Sequence, residues 1–233
     1  MDSLRGIISD LHVFLYGGMR TLPITLAGTM VILGLFTANY AMMFFLVGFI
    51  IAIPILSKLL NLGADALVLA FDLDMFKTKS SDICNVVIPY STIANPSKVE
   101  NQNVLCTTSF AMTCFFLGYI LTNAVELYKR APNPGADQTK VSNRTSQAVL
   151  SIASIVVFAF IVIGFRKYAG CEPTVGLILG TPLFGTLGYV WYTILSAISD
   201  GRLADLFGIS NRILPASATN EDRPVACFVD PNA

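Results

Sequence analysis

The chain has 233 residues, of which 54% are hydrophobic and 13% charged, against about 25% charged residues in an ordinary soluble domain. This composition excludes an ordinary soluble protein and indicates an integral membrane protein with the lipid bilayer as a partner. The formal net charge is zero, so no overall positive field attracts nucleic acid, and we expect no nucleic-acid partner.

Residues that carry common catalytic chemistry are scarce. The chain has five cysteines without a CxxC pattern, and His12 is its one histidine. This argues against zinc, haem attachment and thioredoxin-like sites. The sequence also lacks the GxSxG, GxxxxGK[ST] and HExxH motifs. We therefore expect no enzymatic activity, no catalytic residues, no metal site and no cofactor.

Residues 1–18 are predicted to form an amphipathic N-terminal helix on the membrane surface or against a partner; the alternative is a polar leader to the first span. Apolar residues recur there at helical spacing, at Leu4, Ile7, Ile8, Leu11 and Leu15. Charged residues interrupt the apolar stretch that a cleaved signal peptide needs, so we expect this segment to be retained.

Residues 21–57 carry no charge and exceed the length of one crossing. They predict two spans near 21–38 and 41–58, with a turn at residues 37–40; one long kinked helix is the alternative. Pro54 is expected to bend the second span. Residues 59–71 are too short to cross alone, so they form either an interfacial helix or an extension of the second span.

Residues 72–104 form the largest polar region, a candidate docking loop. Its centre, DICNVVIPYSTI, has the β-branched content of a short strand or hairpin. Three further spans are predicted near residues 105–127, 148–165 and 174–198, with a Pro- and Gly-rich linker over 128–146. The fold class is thus all-α and polytopic: a transmembrane domain of residues 19–198 with five spans, four or six being alternatives, and an extramembrane tail of residues 199–233.

The predicted spans keep essentially no ionisable groups in their interiors, which argues against proton-coupled transport and against a charged intramembrane site. Five spans place eight Lys and Arg residues on the N-terminal side and seven on the other. The positive-inside rule therefore gives no orientation.

A row of glycines in the last span predicts close helix packing, either within the fold or with another subunit. Its members are Gly176, Gly180, Gly185 and Gly188. Cys84 and Cys171 lie in loops on one side of the five-span arrangement, so they are a candidate disulfide if that side is oxidising, with free thiols as the alternative. Asn143 begins an N-x-[ST] sequon on the opposite side. A disulfide at Cys84 and a glycan at Asn143 therefore exclude each other.

Residues 199–215, SDGRLADLFGISNRILP, resemble the tail of membrane proteins of large icosahedral DNA viruses. In those proteins a last span is followed by a charged turn, a DLFGI-like run and NR-[IL]-L-P. The match covers about 17 residues, at Arg202, Asp205, Leu206, Phe207, Gly208, Ile209, Asn211, Arg212 and Pro215. The resemblance implies no catalytic residues.

The resemblance implies a minor capsid protein, or a protein that links the internal membrane of a virion to its shell. The internal membrane would derive from host endoplasmic reticulum. Partner docking is expected at Arg202, Asp205, Phe207, Ile209 and Arg212, with other capsid or membrane-complex proteins of a large assembly as partners. The alternatives are an accessory subunit of an organellar membrane complex and a small transporter or channel for an uncharged solute.

Overall fold

The structure is a computed structural model that describes residues 18, 21–71, 105–129, 138–199 and 203–206. All regular secondary structure in these residues is helical. The elements are α1 (Thr21–Phe36), α2 (Tyr40–Leu46), a π-helical segment (Val47–Ala52), α3 (Ile53–Phe71), α4 (Thr108–Lys129), α5 (Gln138–Tyr168) and α6 (Thr174–Ser199). The predicted helix of residues 1–18, apart from Gly18, and the polar loop of residues 72–104 with its candidate hairpin lie outside the described residues.

Within the described residues, four helical stretches are long and apolar enough to cross a membrane: Tyr40–Ala66, Thr108–Lys129, Val141–Tyr168 and Thr174–Ser199. The protein is thus a helical integral membrane protein. Helix α1 is apolar but shorter; its 16 residues rise about 24 Å, whereas a hydrocarbon core is about 30 Å thick. A fifth crossing by α1 stays a prediction.

The helix is interrupted by a turn at residues 37–39, between α1 and α2, inside the region where the sequence predicts a turn. Ala38 adopts a left-handed backbone conformation with a φ of 50°. Asn39 then caps α2, because its side-chain oxygen accepts a hydrogen bond from the N–H of Ala41 at 3.0 Å. A short polar side chain at this position satisfies one of the donors that a helix start leaves unpaired.

Helices α2 and α3 form one continuous rod through the π-helical segment. The N–H of Ile53 bonds to the carbonyl of Gly48, five residues earlier, instead of four as in an α-helix. Pro54 follows directly and cannot donate a backbone hydrogen bond. The change in the hydrogen-bonding pattern therefore lies next to Pro54, where the sequence predicts a bend in the helix. Helix α3 continues through residues 59–71, so the predicted extension of the second span is observed.

Helix α4 is the centre of the bundle, and its most extensive partner is α6. Buried aromatic rings join α4 to the α2 rod: the ring of Phe45 lies 5.6 Å from Phe115 and 4.8 Å from Tyr119, measured between centroids. Such pairs contribute about 0.5–1.5 kcal/mol beyond burial. Helix α5 lies at the outside and exposes large apolar side chains such as Leu150 and Phe160, which suits contact with lipid.

Candidate functional site

The start of α4 is built around Thr107. Its hydroxyl oxygen accepts a hydrogen bond from the N–H of Phe110 at 3.3 Å, the usual pattern of a helix N-cap. The N–H of Thr107 donates to Oε2 of Glu172 at 3.0 Å, and its hydroxyl donates to Oε1 of the same carboxylate. Glu172 lies in the turn between α5 and α6, so a negative charge from another part of the chain meets the positive end of α4.

Arg166, in the last turn of α5, completes this arrangement. Its Nη2 donates to Oγ of Ser109 at 2.5 Å, and its Nη1 lies 3.8 Å from Oε1 of Glu172. Both charged side chains are almost fully buried. Removing one partner of a buried ion pair leaves the other charge uncompensated and costs about 3–5 kcal/mol. The pair therefore locks the α5–α6 turn onto α4.

Burial raises the pKa of the Glu172 carboxyl above its ordinary value, although the hydrogen bonds from Thr107 and the charge of Arg166 act in the opposite direction. Burial also raises the pKa of the Cys106 thiol, with a further contribution from Glu172. A buried thiol that keeps its proton is a poor nucleophile.

Asn61 connects α3 to the same place. Its Nδ2 donates to the carbonyl of Cys106 at 3.1 Å, and its Oδ1 accepts from the N–H of Leu105 at 3.1 Å. The hydroxyls of Ser57 and Thr108 lie 3.4 Å apart at the same contact. We call Asn61, Thr107, Ser109, Arg166 and Glu172 the polar junction. It joins α3, α4, α5 and α6 at one end of the bundle.

The cysteines divide into two groups. Cys106 and Cys114 carry free thiols in the interior, whereas Cys171 is disulfide-bonded and buried beside the polar junction. Its predicted partner, Cys84, lies outside the described residues, as does Cys227. The pairing of Cys84 with Cys171 stays a prediction.

The predicted glycine row lies against α4. A Cβ atom on Gly176 would stand 1.9 Å from the carbonyl oxygen of Leu105, and one on Gly188 would stand 2.2 Å from that of Phe115. A Cβ on Gly180 would meet Cys106 at 3.3 Å. The close approach of the two backbones therefore depends on these glycines and lies inside the fold.

Gly185 contributes to that interface in a different way. A Cβ on Gly185 itself would meet nothing within 4 Å. Its carbonyl oxygen, however, lies 2.1 Å from where a Cβ on Gly118 of α4 would stand. Gly118 is thus the member of the interface that must stay small at this level, and the sequence reading did not single it out.

Residues 203–206, after α6, pack against the middle of α4 and against the α1–α2 turn. The Tyr119 hydroxyl donates to the carbonyl of Ala204 at 2.9 Å, and Nδ2 of Asn39 donates to the carbonyl of Leu206 at 2.9 Å. Ala204 and Leu206 are fully buried, and Asp205 is buried as well. Asp205, predicted to dock a partner, therefore packs within its own bundle. The other predicted docking residues, Arg202, Phe207, Ile209 and Arg212, lie outside the described residues.

Asn143 is exposed on α5 rather than in a linker, because the helix begins at Gln138 and not after residue 146 as the sequence predicts. The hydroxyl of Thr145, the last residue of the sequon, donates to the carbonyl of Val141 at 3.0 Å. The sequon is therefore part of a regular helix.

The part of the chain that the structure describes contains no group of three or more His, Cys, Asp or Glu side chains able to hold a metal ion. No family model matches the chain, and comparison with curated proteins and with solved structures finds no similar protein.

Proposed function

We propose that the protein is a structural membrane protein that anchors a membrane to a protein assembly through its extramembrane segments. The resemblance of residues 199–215 to viral membrane proteins leads us to propose, more specifically, a virion role, in which the chain spaces an internal membrane against the capsid shell. The observation that carries the proposal is the attachment of residues 203–206 to the bundle through Asn39 and Tyr119.

This attachment suits an anchor for a mechanical reason. Ala204 and Leu206 are fully buried, and their carbonyls are bound by side chains from two different elements, the α1–α2 turn and α4. The chain that continues beyond residue 206 therefore starts from a point fixed to the rigid core. A force on that chain would reach the whole bundle instead of one helix end.

The polar side chains of the bundle also favour a scaffold. Arg166, Glu172 and Asn61 bond α3 and the α5–α6 region to the start of α4. In a transporter, buried polar groups line the path of the solute, whereas here they hold the helices together. We propose that the chain has no catalytic activity of its own.

The test is whether the protein is found in a large assembly in fixed proportion. We expect purified virions, or another large assembly, to contain the chain at constant stoichiometry across preparations. Recovery in an organellar membrane complex would support the accessory-subunit alternative. A protein that purifies alone and moves an uncharged solute across liposomes would contradict the structural role.

The attachment itself is tested by Tyr119→Phe, which removes only the hydroxyl that binds Ala204. We expect this variant to insert into membranes normally and to enter the assembly less efficiently. Tyr189→Phe is the matched control, since Tyr189 is exposed on α6. Equal incorporation of both variants would argue against the anchoring role of residues 203–206.

A further inference from the structure

The bundle has two chemically distinct ends. The junction end carries the polar junction, the start of α4 and the α5–α6 turn. The tail end carries the α1–α2 turn and residues 203–206. Helix α6 connects them with 26 residues, a rise of about 39 Å that exceeds a hydrocarbon core of about 30 Å. The two ends therefore lie on opposite faces of a membrane.

The junction end holds the disulfide-bonded Cys171, which is buried next to Glu172. Disulfides form and persist in oxidising compartments and are rare in the cytosol, where thiols are kept reduced. Cys106 and Cys114 carry free thiols, and a buried free thiol is compatible with either compartment. Cys171 is thus the described cysteine whose state reports on the surrounding compartment.

We infer that the junction end faces an oxidising compartment, such as the lumen of the endoplasmic reticulum, and that the tail end faces the cytosol. The distribution of Lys and Arg does not decide the orientation, so the inference rests on the disulfide and the placement of the helix ends. It is independent of the proposed anchoring role.

Two consequences follow for the tail end. Asn143 precedes Arg166 by 23 residues of α5, about 34 Å along the helix, so its sequon faces the cytosol and stays without a glycan. The chain after residue 206 likewise starts on the cytosolic side. Any assembly that it contacts is therefore built in the reducing compartment.

The experiment uses two matched cysteine variants of the full chain, Tyr128→Cys and Tyr168→Cys. Both tyrosines are exposed, and they lie near the tail end of α4 and the junction end of α5, respectively. Sealed microsomes, whose cytosolic face is outward, are treated with a membrane-impermeant maleimide before and after permeabilisation. Labelling of the parent chain is subtracted.

We expect Tyr128→Cys to react fully in sealed microsomes and Tyr168→Cys to gain most of its label only after permeabilisation. The opposite pattern, or equal labelling of both variants in sealed microsomes, would overturn the inference. If a tyrosine variant fails to accumulate, Lys129→Cys replaces Tyr128→Cys and Lys167→Cys replaces Tyr168→Cys, because these lysines are exposed at the neighbouring positions. The same labelling pattern is expected for them. A glycan on Asn143 of the parent chain would also overturn it.

Discussion

Glu172 accepts a hydrogen bond from the N–H of Thr107 at 3.0 Å, across 65 positions of sequence. The contact places a buried carboxylate at the N-terminus of α4 and joins the α5–α6 turn to the central helix. Because Arg166 and Asn61 reach the same segment, this contact lies at the centre of the polar junction. Its loss should loosen several helices together.

Glu172→Ala is expected to destabilise the protein by about 3–5 kcal/mol, because it leaves the buried Arg166 without its counter-charge. Glu126→Ala is the control, since Glu126 is exposed on α4, and it should change stability by less than about 0.5 kcal/mol. Chemical unfolding in detergent measures both. Equal effects of the two variants would contradict the assigned role of the junction.

The pH dependence of stability should carry a contribution from Glu172. Burial raises the pKa of its carboxyl group in the folded protein. The folded state therefore holds the carboxyl proton more tightly than the unfolded state, in which glutamate has a pKa of about 4.3. The contribution of this group to the free energy of unfolding is thus largest below a pH of about 4.3, and it is lost as the pH rises through the folded-state pKa. Glu172→Gln should lack this loss.

The measurement compares unfolding midpoints of the parent chain and Glu172→Gln across the acidic and neutral range. We expect the parent to lose more stability than the variant as the pH rises. Parallel curves for the two proteins would show that the carboxyl titrates alike in the folded and unfolded states.

The glycine interface gives a matched pair of substitutions within one helix. Gly188→Ala places a Cβ 2.2 Å from the carbonyl oxygen of Phe115, so α4 and α6 must separate, at a cost of about 1–3 kcal/mol. Gly185→Ala meets open space and should stabilise the helix by about 0.5–1 kcal/mol. Thermal unfolding of both variants tests this, and a stabilised Gly188→Ala would refute the close approach.

The disulfide of Cys171 should join it to Cys84. The connection from α3 to α4 contains Cys84 and joins two helix ends at the junction end, whereas Cys227 follows residue 206 at the tail end. Non-reducing peptide mass spectrometry should therefore find a Cys84–Cys171 cross-link. A Cys171–Cys227 cross-link, or an unlinked Cys171 thiol, would contradict the pairing.

Features with a local signal could be predicted from the sequence. The uncharged stretches predict apolar helices, Asn39 favours a turn, and the spacing of Gly176 and Gly180 predicts close packing. Each follows from the chemistry of neighbouring residues, such as apolar length or the absence of a side chain. The start of α5 is an instructive error: the Pro- and Gly-rich linker is predicted to extend to residue 146, but residues 138–146 contain neither Pro nor Gly and belong to the helix.

The polar junction could not be predicted, because its members are distant in sequence and each has a simpler local interpretation. From the local sequence alone, Glu172 is a carboxylate in a short loop and Arg166 is a basic residue at the end of a span. Asn61 is a polar residue that interrupts an apolar stretch. Only the packing of α4 against the α5–α6 turn brings them together. The burial of Asp205 could not be predicted for the same reason: the sequence predicts an extramembrane docking residue, yet the bundle buries its side chain.

The anchoring role depends most directly on the chain beyond the attached segment. Deleting residues 207–233 keeps Ala204 and Leu206, whose carbonyls bind Tyr119 and Asn39, so the bundle should insert and fold as before. The decisive measurement is the amount of this truncated chain in purified assemblies relative to the full chain, with membrane insertion as the internal reference. We predict normal insertion and loss of incorporation, whereas normal incorporation would contradict the proposed function.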